Sequence, residues 1–325
     1  MARTHTVRIP APAASSQPSR GFTIVELLVV IAIISLVVAL LIPAIGKVRS
    51  QSRTTQCLTN QRSIGQADYS YATNNAGRWA SPATQNNIGV YQNAATQSQF
   101  LYYTTHAWVW ANPNNATYTS GSSTFGYEKP KALEDGSLFS YIGSPGVYIS
   151  PQEPTNPFGS VAPDNNRRIR SYSLNAWVGT RSPDDLQEWA SFPTSLGIPV
   201  SSCNTTSVAR VPQPSRTMLC MVEDDSLSWN NLGWLIDPLI PRWIDTPAYW
   251  SPGAVTMAYC DGSFEVYELK RPDLPAMWDP SMGGTPHRWI QPADSVGFAI
   301  DWKWFRDRQL PGVIPNSTYG FSNGL

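Results

Sequence analysis

From Phe22 to Ile45 the chain reads FTIVELLVVIAIISLVVALLIPAI, a run in which apolar positions follow one another without the gaps of an amphipathic element. At about 1.5 Å per helical residue this run exceeds the roughly 30 Å hydrocarbon core of a bilayer, so the pattern predicts a membrane-spanning helix. Glu26 interrupts it with a carboxylate, a group that is costly in hydrocarbon and therefore a functional candidate. Pro43 removes a backbone hydrogen bond late in the run, and with Gly46 it predicts a kink after which the helix resumes. From Lys47 to about Thr73 the pattern turns amphipathic. Cys57, Ile64, Ala67 and Tyr71 fall at offsets that bring them onto one stripe, the face against which a globular domain would pack. Asn74, Asn75 and Gly77 then supply a helix stop.

Beyond that helix the alternation of apolar and polar positions has the period of strands. Arg170–Gly179, Ser215–Asp224 and the pair of runs around Asp261-Gly262 each alternate, and the Asp-Gly dipeptide predicts a two-residue type I′ hairpin turn. Between Ser81 and Tyr127 the chain reads as loops and irregular strands. Glu134–Pro154 reads as a short amphipathic turn leading to a strand-like Val147–Ser150. The last 55 residues show no long periodic element, but Trp278, Trp289, Trp302 and Trp304 predict that this tail packs on the rest. The expected fold is α+β, a long amino-terminal helix, transmembrane and then amphipathic, on an antiparallel sheet with long loops. The expected divisions are 1–21 as a leader, 22–45 as the apolar helix, 46–77 as its amphipathic continuation and 78–325 as a β-rich head.

Charge sharpens the topology. Basic and acidic residues number 23 each, but residues 1–21 hold Arg3, Arg8 and Arg20 and no acid, leaving 20 against 23. Positive charge before an apolar helix holds that end in the cytoplasm, which puts everything after Ile45 outside. No basic face of the kind nucleic acid requires is present. Only 14% of residues are charged while there are 13 Trp and 14 Tyr, a composition suited to an exported, loop-rich domain. On that reading Cys57, Cys203, Cys220 and Cys260 can form disulfides, in any of three full pairings, and each can equally be a small buried apolar residue.

Gly21-Phe22-Thr23 with Glu26, read as GFTIVE ahead of the apolar run, resembles the processing signature of type IV prepilins and of type II secretion pseudopilins. The resemblance implies that a prepilin peptidase cuts after Gly21 and methylates the new amino terminus at Phe22. It also implies that Glu26 pairs with the amino terminus of a neighbouring subunit during filament assembly. A secretory signal peptide is the simpler alternative, but its apolar core is normally about 7–15 residues and is followed by a small-residue cleavage site that is poor here. The stretch after the anchor, with Cys57, Asn60, Ile64, Gly65, Ala67, Tyr71 and Gly77, resembles the large pilin-like families of planctomycete-type bacteria. Those proteins often carry a Cys-Pro where Ser150-Pro151 stands, and a His where Ser251 precedes Asp261-Gly262.

The head offers less chemistry. Glu223, Asp224 and Asp225, joined by Asp261 if the strands adjoin, are the residues that could hold calcium, which takes several hard oxygen ligands; the plainer reading is a solvated rim and a turn. No other cofactor is expected. His5, His106 and His287 are isolated, Asp184 and Asp185 make no recognisable catalytic pair, and nucleophile and phosphate-loop motifs are absent, so no enzymatic activity is expected. Trp108, Trp110, Trp229, Trp234, Trp243 and Trp250 could form a glycan- or protein-binding surface, or serve as core. The expected function is a pseudopilin or minor pilin, with the peptidase, other pilin subunits and the inner membrane as partners. The alternative is an anchored extracytoplasmic binding protein.

Overall fold

The computed structural model describes residues 21–82, 106–110, 119–122, 125–153, 169–179, 205–223, 233–236, 245, 247–248, 250, 254–271 and 296–310. Its first element, α1 (Ile24–Asn74, 51 residues), remains helical through both Pro43 and Gly46. Ser35, inside the apolar run, gives its hydroxyl to Ile31 O at 2.7 Å, so this polar group is satisfied within the helix. The far end closes where the sequence stop lies: Asn75 N–H and Gly77 N–H both donate to Ala72 O, at 3.0 and 2.8 Å. The chain divides into two compact units, Met1–Arg49 and Ser50–Leu325.

In the second unit the predicted stripe is the buried one. Cys57, Ile64, Ala67 and Tyr71 are all buried, and Asn60, Gln61 and Asp68 are buried beside them. They lie against a four-stranded antiparallel sheet in the order β3 (Tyr172–Leu174), β4 (Met218–Val222), β5 (Ala254–Tyr259) and β6 (Phe264–Glu268). Alternation along the strands gives the sheet two apolar faces. Tyr172, Leu174, Cys220, Val222 and Ala258 pack with Ile64 and Tyr71 of α1. Val255, Met257, Tyr259 and Tyr267 pack on the opposite side with Trp302 and Phe305. Between Met218 and Cys220 the β4–β5 register shifts, and this irregularity turns Met218 to the same side as Met221.

Three details differ from the sequence reading. The tail is not devoid of regular structure: Val296–Gln309 is a helix that covers the second face of the sheet. Ala299, Trp302, Phe305 and Gln309 form its buried stripe, a helical spacing hidden by the aromatic and charged residues between them. Pro145–Tyr148 is a 3-10 turn, not a strand, because proline at its start sets the helical φ and lacks a donor for a ladder. The four residues 260–263 join β5 to β6, with Tyr259 N–H donating to Ser263 O at 2.8 Å and Gly262 N–H to Tyr259 O at 3.0 Å. Gly262 has φ +84° and Asp261 has no positive φ, so this is a turn followed by a left-handed glycine and not type I′, which needs both. Two short helices, Pro130–Glu134 and Phe139–Ile142, a 3-10 turn, Val208–Arg210, and a separate hairpin pairing β1 (Thr119–Ser122) with β2 (Phe125–Glu128) complete the described elements.

Candidate functional site at the amino-terminal helix

Gly21, Phe22 and Thr23 lie outside the helix and α1 begins at Ile24, because Thr23 caps it. Its carbonyl accepts the first helical bond from Leu27 N–H at 3.2 Å. Its hydroxyl oxygen accepts from Glu26 N–H at 3.2 Å and donates to Glu26 Oε2 at 2.8 Å, while Thr23 N–H donates to the same Oε2 at 2.8 Å. This is a reciprocal capping box, and the T-x-x-E spacing that produces it is visible in the sequence. Reading Glu26 only as an assembly charge overlooked it. Both carboxylate bonds use Oε2, which leaves Oε1 open to a cation from outside the chain.

Around this box everything is accessible. Phe22 is 77% exposed, and the apolar side chains from Ile24 to Ile45 are exposed along the helix. A Cβ added at Gly21 would meet nothing within 4 Å, and the residues on both sides of the Gly21–Phe22 peptide bond are exposed. Among the described residues α1 is long and apolar enough to cross a membrane. An exposed peptide bond, an apolar helix without a covering and a carboxylate placed four residues beyond that bond are thus brought together in one short segment.

The other candidates disperse. Glu223 is buried at the end of β4, accepting from the Ser173 hydroxyl, with its N–H donating to Ser171 O at 3.0 Å. Asp261 is an exposed turn residue whose Oδ1 accepts from Ser263 N–H at 2.9 Å and Ser263 Oγ at 2.6 Å. The strands do adjoin, yet Met218 pairs with Tyr259. Asp261 therefore sits at the far end of β4 from Glu223, about 16 Å away at roughly 3.3 Å per residue. Asp224 and Asp225 lie outside the described residues, among which no group of three or more potential ligands gathers.

Cys57, Cys220 and Cys260 are buried and free, and Cys203 lies outside the described residues. Burial pushes all three thiols up from their ordinary range, which lowers the thiolate fraction of each. No disulfide joins these three. Trp108 and Trp234 are core residues: Trp108 stacks on Tyr148 at 5.8 Å and Trp234 meets Phe305 at 5.4 Å, so neither can contribute to a binding surface. Trp110 and Trp250 are half-buried, while Trp229, Trp243, Trp278 and Trp289 are outside the described residues. His106 is tied to the Tyr71 hydroxyl through Nδ1, and burial with Arg78 nearby lowers its pKa. His5, His287, Asp184, Asp185 and Ser251 are likewise outside.

No curated protein and no solved structure matches the chain. Residues 17–42 match the family model of the prokaryotic N-terminal methylation motif, and the capping box, the Gly21–Phe22 bond and most of the apolar run fall within that span. The chain therefore carries the type IV prepilin signature at its amino terminus.

Proposed function

We propose that this protein is a pilin-like structural subunit, a pseudopilin or minor pilin of a type II secretion or type IV pilus-like machine. Prepilin peptidase cuts between Gly21 and Phe22 and the Phe22 amine is methylated. The helix from Phe22 to Ile45 holds the subunit as a single pass in the inner membrane with the head outside, and then packs against the same helix of other subunits in a filament. The observation that supports this reading most is the concentration of the cleavage bond, the uncovered apolar helix and Glu26 in one segment that matches the methylation motif. Glu26 fits the assembly role chemically. Its Oε2 is engaged by Thr23 and its Oε1 is open, so the carboxylate can accept a neighbour's amine without giving up its own cap. Opposite charges meeting in a low-dielectric core attract strongly.

The test separates charge from capping. Glu26→Gln keeps a side chain able to complete the capping box and removes the charge, whereas Glu26→Ala removes both. The expected outcome is that both variants remain in the membrane fraction and that neither enters sedimentable filaments. Filaments formed by Glu26→Gln at the wild-type level would contradict the role of the Glu26 charge in assembly, whereas wild-type protein that stays in the membrane and forms no filaments would favour an anchored binding protein.

A further inference from the structure

The helix–head seam contains one ionisable group that filament assembly does not use. Asp68, two turns after Gln61 on α1, is 1% exposed. Its Oδ1 accepts from Ala80 N–H at 2.9 Å, and its Oδ2 is buried with no hydrogen-bond partner. Among the described residues the titratable groups that face it are acids: Tyr69 on its own helix, Cys220 from β4 and Cys260 from the β5–β6 loop. From the strap that follows the helix, the group that reaches it is the backbone N–H of Ala80. The Ala80 bond favours the ionised form, but one hydrogen bond, with no cation facing it among the described residues, does not offset the cost of burying a charge, so the neutral acid suits the site better.

What Asp68 holds is a junction. The strap Arg78–Ser81 exchanges hydrogen bonds with two separate segments: Trp79 N–H donates to Thr206 O at 3.2 Å, Ser81 N–H donates to His106 O at 2.9 Å, and Ser81 O accepts from Trp108 N–H at 3.0 Å. Gly179 sits so close that an added Cβ would lie 2.4 Å from Ala80 O. Asp68 thus fastens the strap to α1 at Ala80, beside the Tyr69–Trp79 ring contact and the Tyr71–His106 bond, and the segments 106–108, 179 and 205–207 meet the strap there.

We propose that Asp68 is a proton-operated latch, which as the neutral acid ties α1 to the strap and on losing its proton lets the strap and the segments hung on it open. Burial pushes this carboxyl up to about 7, whereas a solvated aspartate titrates near about 4. The closed state therefore holds a proton that the open state releases between those values. Its contribution to the closed state is fully present below about pH 4 and is lost as the pH rises through about 7.

Amide hydrogen exchange on the full-length protein in detergent tests the latch, with rates corrected for intrinsic base catalysis. Opening of residues 78–82 is expected to become about tenfold more frequent per pH unit between about pH 5 and about pH 7, and then to level off. Asp68→Asn, which keeps the acceptor for Ala80 N–H and cannot ionise, is expected to show no such rise. Equal slopes in the two proteins would overturn the proposal. Should Asp68→Asn not fold, the infrared carbonyl band of a buried protonated carboxyl in the wild type at about pH 5.5 decides instead. Its loss as the pH rises through about 7 supports the latch, and its absence at the lower pH overturns it.

Discussion

At the scale of residues, the pair Thr23 and Glu26 fixes where the helix starts and hence which peptide bond stays outside it. Removing the Thr23 hydroxyl with Thr23→Val deprives Glu26 N–H of its acceptor and Oε2 of one donor. Losing an ordinary N-cap corresponds to opening the first turn about fivefold more often, measurable as faster exchange of the Glu26 and Leu27 amides, with Thr23→Ser restoring the wild-type rate. Unchanged exchange in the valine variant would mean that the box does not hold the helix start. This device was legible, since T-x-x-E before an apolar run spells it out. Ala76 was not: the natural reading gives the left-handed position at the helix end to Gly77, yet Ala76 also adopts it, with φ 54°. A left-handed alanine is unfavourable by itself and is imposed by the strap that follows, which local sequence does not report.

At the scale of elements, the apolar periodicity of α1 and the alternation in β4, β5 and β6 were sufficient to locate the helix stripe and the sheet. A count of apolar positions ignores the polar members of the stripe, Gln61 and Asp68, and gives no partner for Asn60; the partners of Asn60 and Gln61 lie far along the chain, and that of Asp68 is in the strap after the helix. Asn60 Nδ2 donates to Ile149 O at 3.0 Å and Gln61 Nε2 to Thr256 O at 2.8 Å. The same seam explains the lone Cys57. Its Sγ lies 2.9 Å from Ser150 Oγ. Ser150→Cys is expected to form a disulfide with Cys57 under oxidising conditions, closing a loop of roughly 90 residues and raising stability by about 4 kcal/mol. Thiol counting by mass, paired with thermal unfolding with and without reductant, checks it. Two free thiols at these positions after oxidation would show that the backbones do not approach closely enough. The helix Val296–Gln309 was missed for a different reason: its stripe is built from Trp302 and Phe305 among charged neighbours, and its stability comes from the second face of the sheet.

At the scale of the whole molecule, the two units carry different kinds of information. The first, Met1–Arg49, contains a peptide bond, a carboxylate and an apolar helix whose roles follow from position along the chain, which is why a short motif reads them. The second, Ser50–Leu325, is organised by long-range packing, in which candidate groups such as Glu223, Trp108 and Trp234 turn out to be structural. Acidic or aromatic composition could not reveal that, because the pairing of β4 with β5 decides which acids meet and which tryptophans are covered. The central claim concerns the first unit and is open to direct measurement. Mass analysis of the amino terminus of protein recovered from membranes is expected to find a chain beginning at Phe22 and bearing one methyl group on its amine. A chain that retains residues 1–21, or one that begins after Ile45, would contradict it.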